Sequence, residues 1–394
     1  MKMKDVYQEA LKLHAEHEGK IEVGLKVACE NAEDLSLAYT PGVAQPCREI
    51  AQNKDDVYKY TWKSHSVAVV SDGTAVLGLG DIGPEAALPV MEGKALLFKR
   101  FAGIDAIPLC LDTKDPDEIV EIVKKIAPTF GGINLEDISA PRCVEIERRL
   151  INECSIPVFH DDQHGTAIVL TSALMNALKV VNKKPEDIKV VISGTGAAGS
   201  SIIKMIHSLG VKTIYAFNIN GIVIKDDYDQ YDFLVKELTE ITNPDNKRMT
   251  LKEAMVGADV FIGVSAPKLV TKEMVESMNE GNIVFPMANP EPEITYALAK
   301  EAGATIVGTG RSDFPNQINN VLAFPGLFKG ALSVRATKIT EGMKLAAAKG
   351  LASLVDDSDL NADHIIVSAF DPRVADTVAK AVADEAIKEG VIHD

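Results

Sequence analysis

Residues 194–199 read Gly-Thr-Gly-Ala-Ala-Gly, directly after the apolar run Ile188–Ser193 and directly before Ser200–Leu209, whose apolar residues recur at helical spacing. The glycine spacing alone says little, because 28 glycines in 394 residues produce it by chance. Strand, tight glycine turn and helix start, in that order, give it a physical meaning. Gly194 permits the turn, Gly196 lets backbone approach a pyrophosphate, and Gly199 lets the helix pack close on the strand. Thr195, Ala197 and Ala198 complete a short cradle whose free N–H groups and helix dipole favour an anion. The chain is expected to bind a dinucleotide.

A second strand, Thr213–Phe217, leads to Asn218. It stands about 20 residues past the glycines, where an acidic side chain usually holds the ribose 2′-hydroxyl. Asn218 can bond that hydroxyl without repelling a 2′-phosphate. No arginine flanks it to clamp such a phosphate, although Lys225 lies downstream. The expectation is NAD, with NADP possible.

At 394 residues the chain exceeds one ordinary core, so two domains are expected. A net charge of −16 argues against nucleic acid or a membrane surface as partner. No apolar run approaches the length of a membrane span, and the N-terminal stretch has no signal-like apolar core. Five scattered cysteines without a CxxC pair fit reduced thiols, and hence a cytoplasmic protein.

Strand and helix patterns alternate from Ser66 onward, which indicates α/β architecture with largely parallel strands. Strands are expected at 67–70, 106–111, 133–138 and 157–159, then at 260–264, 283–287 and 305–307. Helices are expected at 6–17, 86–101, 116–126, 142–153, 165–182 and 374–388. The division falls at 162/163, giving segments 1–162 and 163–394.

Acidic residues gather at two strand ends. Glu136 and Asp137 follow Ile133–Leu135, and Asp161 and Asp162 follow Val158–His160. Glu136, Asp137 and Asp162 together would suit a hard divalent cation, Mg²⁺ or Mn²⁺. His160 and His164 are spaced for zinc, but Asp161 stands where the HExxH pattern needs glutamate. Lys94, among Ala95, Leu96 and Leu97, is a candidate for partial desolvation, which would lower its pKa towards use as a base, against the commoner role of a lysine whose stem packs while its ammonium reaches water. Tyr39 opens a Tyr-Thr-Pro-Gly turn and is a candidate proton donor, against the commoner packing role.

These segments together resemble the malic enzyme family, in particular its short bacterial members. The resemblance runs through YTPGVA from Tyr39, SDGTAVLGLGDIG from Ser71, EGKALLFKRFAGIDA from Glu92 and NLEDI from Asn134. It continues through DDQHGTA from Asp161, GTGAAG from Gly194, ANPEPEI from Ala288 and NNVLAFPG from Asn319. It implies an N-terminal α/β malic-enzyme domain, then a Rossmann-type NAD(P)-binding domain with C-terminal helices. It further implies oxidative decarboxylation of L-malate to pyruvate and CO₂ in a homodimer, with oxaloacetate bound between the two steps. Tyr39 becomes the general acid, Lys94 the general base, Glu136, Asp137 and Asp162 the metal ligands, and Asp161 a neighbour that holds the Lys94 charge. Asn289 and Asn320 become amides contacting cofactor or substrate. One departure stands out: Thr74–Ala75–Val76 occupies the stretch where longer members carry a carboxylate-gripping arginine, leaving Asn320 or Arg311 as substitutes. An oxaloacetate decarboxylase with an unused redox step and a non-catalytic dinucleotide-binding regulator are the alternatives.

Overall fold

The computed structural model describes residues 3–76 and 78–393, with side chains from Val6 onward; Leu77, inside the Ser71–Gly83 stretch, lies outside the described residues. Two parallel sheets organise the chain. The first comprises β1 (Ser66–Ser71), β2 (Asp105–Cys110), β3 (Gly132–Leu135) and β4 (Val158–His160), in the order β2-β1-β3-β4. The second comprises β5 (Lys189–Ser193), β6 (Thr213–Asn218), β7 (Gly221–Ile222), β8 (Val260–Gly263), β9 (Ile283–Pro286) and β10 (Ile306–Val307). Its order is β10-β9-β8-β5-β6-β7, and only β7 is antiparallel. The chain leaves β5 for β6 on one side and later returns to β8 on the other. The carboxyl ends of β5 and β8 therefore flank a crevice at the point where the strand order reverses, the usual ligand position in such sheets.

The principal helices are α1 (Met3–His17), α2 (Ala32–Ala38), α3 (Ala44–Gln52), α4 (Pro84–Ala102), α5 (Pro116–Ile126), α6 (Arg142–Glu153), α7 (Asp161–Val180), α8 (Ala197–Ser208), α9 (Phe324–Ser333), α10 (Glu341–Ala352) and α11 (Val374–Lys388). Fourteen of the twenty residues of α7 are buried and only Lys179 is exposed, so it serves as an internal pillar. One core runs from β1 and α4 through α7 to β5 and the C-terminal helices. Phe98 of α4 meets Phe324 and Phe328 of α9 edge to face at 4.8 and 5.4 Å, tying the C-terminal helices to the first sheet.

Two boundaries differ from expectation where the site lies. The strand expected over 133–138 ends at Leu135, because Asp137 adopts φ +53°, outside strand geometry. The helix expected from Gly165 begins at Asp161. His160 caps it by accepting from the Gln163 N–H at 3.3 Å through Nδ1, and Gly165 sits inside the first turns because a Cβ there would lie 2.0 Å from Asp161 Oδ1.

The segment from Ile21 to Gln52 lies against little else. Neither α2 nor α3 buries a residue, and Val23 and Leu25 are each 86% exposed. Among the described residues no helix is long and apolar enough to cross a membrane.

Candidate active site

Lys94 projects from α4 into the junction between the two sheets and is buried. Its Nζ lies 2.6 Å from Asp161 Oδ2 and 2.8 Å from Glu136 Oε1, with the Phe324 ring 4.1 Å away. Asn320 donates to the same Asp161 oxygen at 2.5 Å, and Asn134 of β3 donates to Glu136 Oε2 at 2.8 Å. Asp162 Oδ2 accepts from the Asp137 N–H at 2.7 Å, so the two strand ends are bonded to each other. The left-handed backbone at Asp137 turns its carboxylate out of the strand repeat. Neighbouring strand residues normally face opposite ways, and this turn lets both Glu136 and Asp137 join Asp162.

Oxygens of Glu136, Asp137 and Asp162, one from each, lie within 4.8 Å of one another. Asp137 Oδ2 is buried and has no hydrogen-bond partner. Burial first, then the neighbouring Asp162 and Glu136 charges, pushes the Asp137 carboxyl up to about 9. Burial raises Glu136 to about 7 and Asp162 to about 6, against the pull of Lys94. Four carboxylates here face one ammonium. A hard divalent cation fits this all-oxygen set and would balance its excess negative charge.

The Lys94 expectation is corrected. Burial does push its pKa down, but Asp161, Glu136 and Asp162 together outweigh burial and hold it above the usual lysine value. The apolar neighbours along α4 were visible in sequence; the carboxylates delivered by other elements were not.

At the β5 end, Gly194 has φ +113° and donates its N–H to Phe217 O at 2.8 Å. A Cβ on Gly199 would lie 2.0 Å from the Gly194 carbonyl oxygen, whereas one on Gly196 would meet nothing within 4 Å. Helix α8 starts at Ala197, leaving Thr195 to Ala198 at its open end. Asn218 closes β6. Its Oδ1 accepts from the Asn220 N–H at 2.8 Å, which leaves the amide NH₂ free to donate. Lys225 is drawn 3.2 Å from Glu240 instead. Asn289 lies beside Gly78 of the first domain, where a Cβ would come 3.2 Å from the Asn289 carbonyl oxygen.

Three residues that the sequence did not single out hold these loops. Glu293 is fully buried and accepts from the N–H groups of Ser265 (2.9 Å) and Ala288 (3.1 Å), joining the segments after β8 and β9. Arg142 lies 2.9 Å from Asp72 and donates to Thr74 Oγ1 at 2.9 Å and Ser139 Oγ at 3.1 Å, bracing the turn that lacks the family arginine. Glu147 contacts both His160 and His164. These histidines are occupied by capping and by Glu147, and they do not converge on a zinc site. Arg311 forms a fork with Asp313 at 2.8 and 2.7 Å on an exposed loop. Tyr39 is 66% exposed and forms no side-chain hydrogen bond with the Lys94 cluster.

A glycine turn at the reversal point of a parallel sheet, in a chain that also buries a lysine–carboxylate cluster, is the arrangement of a dinucleotide-binding enzyme. Residues 18–151 match the model of the malic enzyme N-terminal domain, and residues 163–387 that of the malic enzyme NAD-binding domain. The chain belongs to the malic enzyme family. It is 58% identical to a bifunctional malic/malolactic enzyme of Bacillus subtilis, over 98% of this chain and 94% of that one. It is 56% identical to an NAD-dependent malic enzyme of Geobacillus stearothermophilus, over 95% of this chain and 78% of that one. Among solved structures, the malic enzyme of Pyrococcus horikoshii superposes with a TM-score of 0.94 at 49% identity, covering 98% of this chain and 92% of that one.

Proposed function

We propose that the chain converts L-malate to pyruvate and CO₂ with reduction of NAD, its catalytic domain ending at 162 and its nucleotide domain beginning at 163. The observation that carries this reading is Lys94, buried between Asp161 and Glu136 beside the three-carboxylate set. Glu136, Asp137 and Asp162 would hold Mg²⁺ or Mn²⁺. Such a cation would acidify the substrate hydroxyl and polarise its ketone, and the nicotinamide would accept hydride. Lys94, as the neutral amine, takes the hydroxyl proton during oxidation, gives it to the same oxygen as CO₂ leaves, and takes it back as the enol becomes the ketone. Asp161, itself held by Asn320, keeps the lysine in place throughout. Tyr39 gives its proton to the third carbon of enolpyruvate once CO₂ has left. Each proton-transfer group contributes about 10²–10⁴-fold. Asn289 and Asn320 are the amides read as contacting nicotinamide and substrate.

Gly194 to Gly199 would hold the pyrophosphate. Asn218 presents no negative charge to a 2′-phosphate, and Lys225 is engaged by Glu240, which supports NAD preferred by a modest margin. The assay is malate with Mn²⁺ and either NAD or NADP, followed at the absorbance of the reduced cofactor, with pyruvate and lactate measured as products. Absent turnover, or lactate alone, would refute the reading; higher kcat/KM with NADP would refute the cofactor assignment.

The same reading includes a homodimer. An arm carrying Val23, Leu25, Leu37 and Tyr39 at the surface is an apolar face that a second copy would cover, and an exposed Tyr39 needs such cover to act out of bulk water. A light-scattering mass near that of one chain, 42.4 kDa, at micromolar concentration would refute the dimer. Five free cysteines, two of them exposed, support a reducing cytoplasmic setting.

A further inference from the structure

Asp161 and Asp162 occupy the first turn of α7, where the chain leaves β4 and changes direction. Glu147, on the neighbouring helix α6, is buried and grips the junction on both sides of the two aspartates. Its Oε1 accepts from the His160 backbone N–H at 2.8 Å, and its Oε2 lies 2.9 Å from His164 Nε2. Buried Lys344 of α10 lies 3.2 Å from the His164 ring nitrogens and 2.8 Å from Glu341. With Nε2 protonated towards Glu147, Nδ1 is left to accept from Lys344 or from Ser201 Oγ, 3.4 Å away. Although burial pushes the Glu147 carboxyl up, His164 and Lys344 outweigh it and hold it down to about 2, so the grip is that of an anion.

We propose that Glu147 is a positioning residue for the metal site: by holding the His160 N–H and the His164 ring, it fixes the turn that aims Asp162 at the cation and Asp161 at Lys94. This rests on reading Glu136, Asp137 and Asp162 as metal ligands. Glu147 touches none of them. Its effect passes through the backbone at 160 and the side chain at 164, four residues apart on either side of the aspartates. Residues behind metal ligands commonly set affinity by about 10–100-fold.

The test is Mn²⁺ binding to the full chain without substrate, read by electron paramagnetic resonance of the free ion, together with the melting temperature of chelated protein. Glu147→Ala is expected to weaken Mn²⁺ binding by about 10–100-fold. Glu147→Gln, whose amide oxygen still accepts from the His160 N–H but whose NH₂ meets the His164 Nε2–H donor to donor, keeps one anchor of two and is expected to weaken binding by less than Glu147→Ala. His164→Ala loses one anchor of two and is expected to weaken binding by less than Glu147→Ala; it decides the matter if Glu147→Ala does not fold. A merely structural role would lower the melting temperature of the chelated variants and leave Mn²⁺ affinity unchanged, overturning the proposal. Equal loss in Glu147→Gln and Glu147→Ala would overturn the hydrogen-bond argument. Wild-type protein that binds no Mn²⁺ would instead overturn the metal reading on which the proposal stands.

Discussion

Two glycines of the nucleotide turn, three residues apart, should respond to alanine in opposite ways. At Gly199 the new Cβ would lie 2.0 Å from the Gly194 carbonyl oxygen and 2.7 Å from its carbon, and both are backbone atoms. Helix and strand must separate to admit it, and such overpacking costs about 1–3 kcal/mol. At about 2–4 °C per kcal/mol, Gly199→Ala should melt several degrees below wild type. At Gly196 the Cβ would meet nothing within 4 Å, and the backbone, at φ −73° and ψ −156°, lies only a little past the extended region open to alanine. Gly196→Ala should therefore stay within about 1 kcal/mol of wild type, the small backbone strain being offset by a less flexible unfolded chain. Its methyl projects where a pyrophosphate would approach the backbone, and that collision should weaken NAD binding by about 5–150-fold, the equivalent of about 1–3 kcal/mol. Differential scanning fluorimetry gives the first quantity and quenching of protein fluorescence by NAD titration the second. A Gly196→Ala protein that binds NAD as wild type does would refute the assignment of the turn. One that loses as much stability as Gly199→Ala would refute the space argument.

Lys94→Ala should impair malate oxidation, oxaloacetate decarboxylation and tritium exchange into pyruvate, whereas Tyr39→Phe should damage the exchange far more than the oxidation. Equal damage by both in all three reactions would contradict the division of labour. Glu147 titrates near 2 in the fold against an ordinary glutamate value of 4.5. A depressed folded pKa means a contribution fully present above pH about 4.5 and lost as pH falls towards about 2, worth about 3 kcal/mol. Urea unfolding of wild type and Glu147→Gln should thus differ most at pH 6, with the difference shrinking below pH about 4.5 and vanishing only as pH approaches about 2; a constant difference across that range would show that the carboxylate charge is not what stabilises.

Local chemistry was legible in the sequence, and contacts across the fold were not. The expected helices 116–126, 142–153 and 374–388 coincide with α5, α6 and α11, because their apolar residues keep a strict 3.6 period between polar ends. The glycine turn was readable for the same reason: strand, turn and helix start are contiguous. The start of α7 was misplaced because Gly165 looks like a helix boundary. Its missing side chain is instead required by Asp161 one turn earlier, a constraint visible only once the helix exists. Likewise nothing near Glu147 in sequence announces that it reaches His160 and His164, and nothing near Asp137 announces φ +53°.

Lys94 shows what that difference means for chemistry. Its sequence neighbours predict an apolar surrounding and a weakened hold on the proton. The fold adds Glu136 from the end of β3 and Asp161 from the start of α7, and their charges reverse the sign of the shift. A base so placed is held protonated by the groups that position it. Positive charge supplied to Glu136, Asp137 and Asp162 would relax that hold, since each neutralised carboxylate removes one term favouring the ammonium. Burial, which already pushes Lys94 down, would then act with less opposition. The carboxylate set and the lysine are therefore one electrostatic unit, in which cation binding and release of the lysine proton favour each other; substitution of any ligand should alter both. Asp162→Asn tests the coupling, because it removes a charge that raises the Lys94 pKa and also removes a ligand. Weaker Mn²⁺ binding with an unchanged pH dependence of malate oxidation at saturating Mn²⁺ would show that the two are separable.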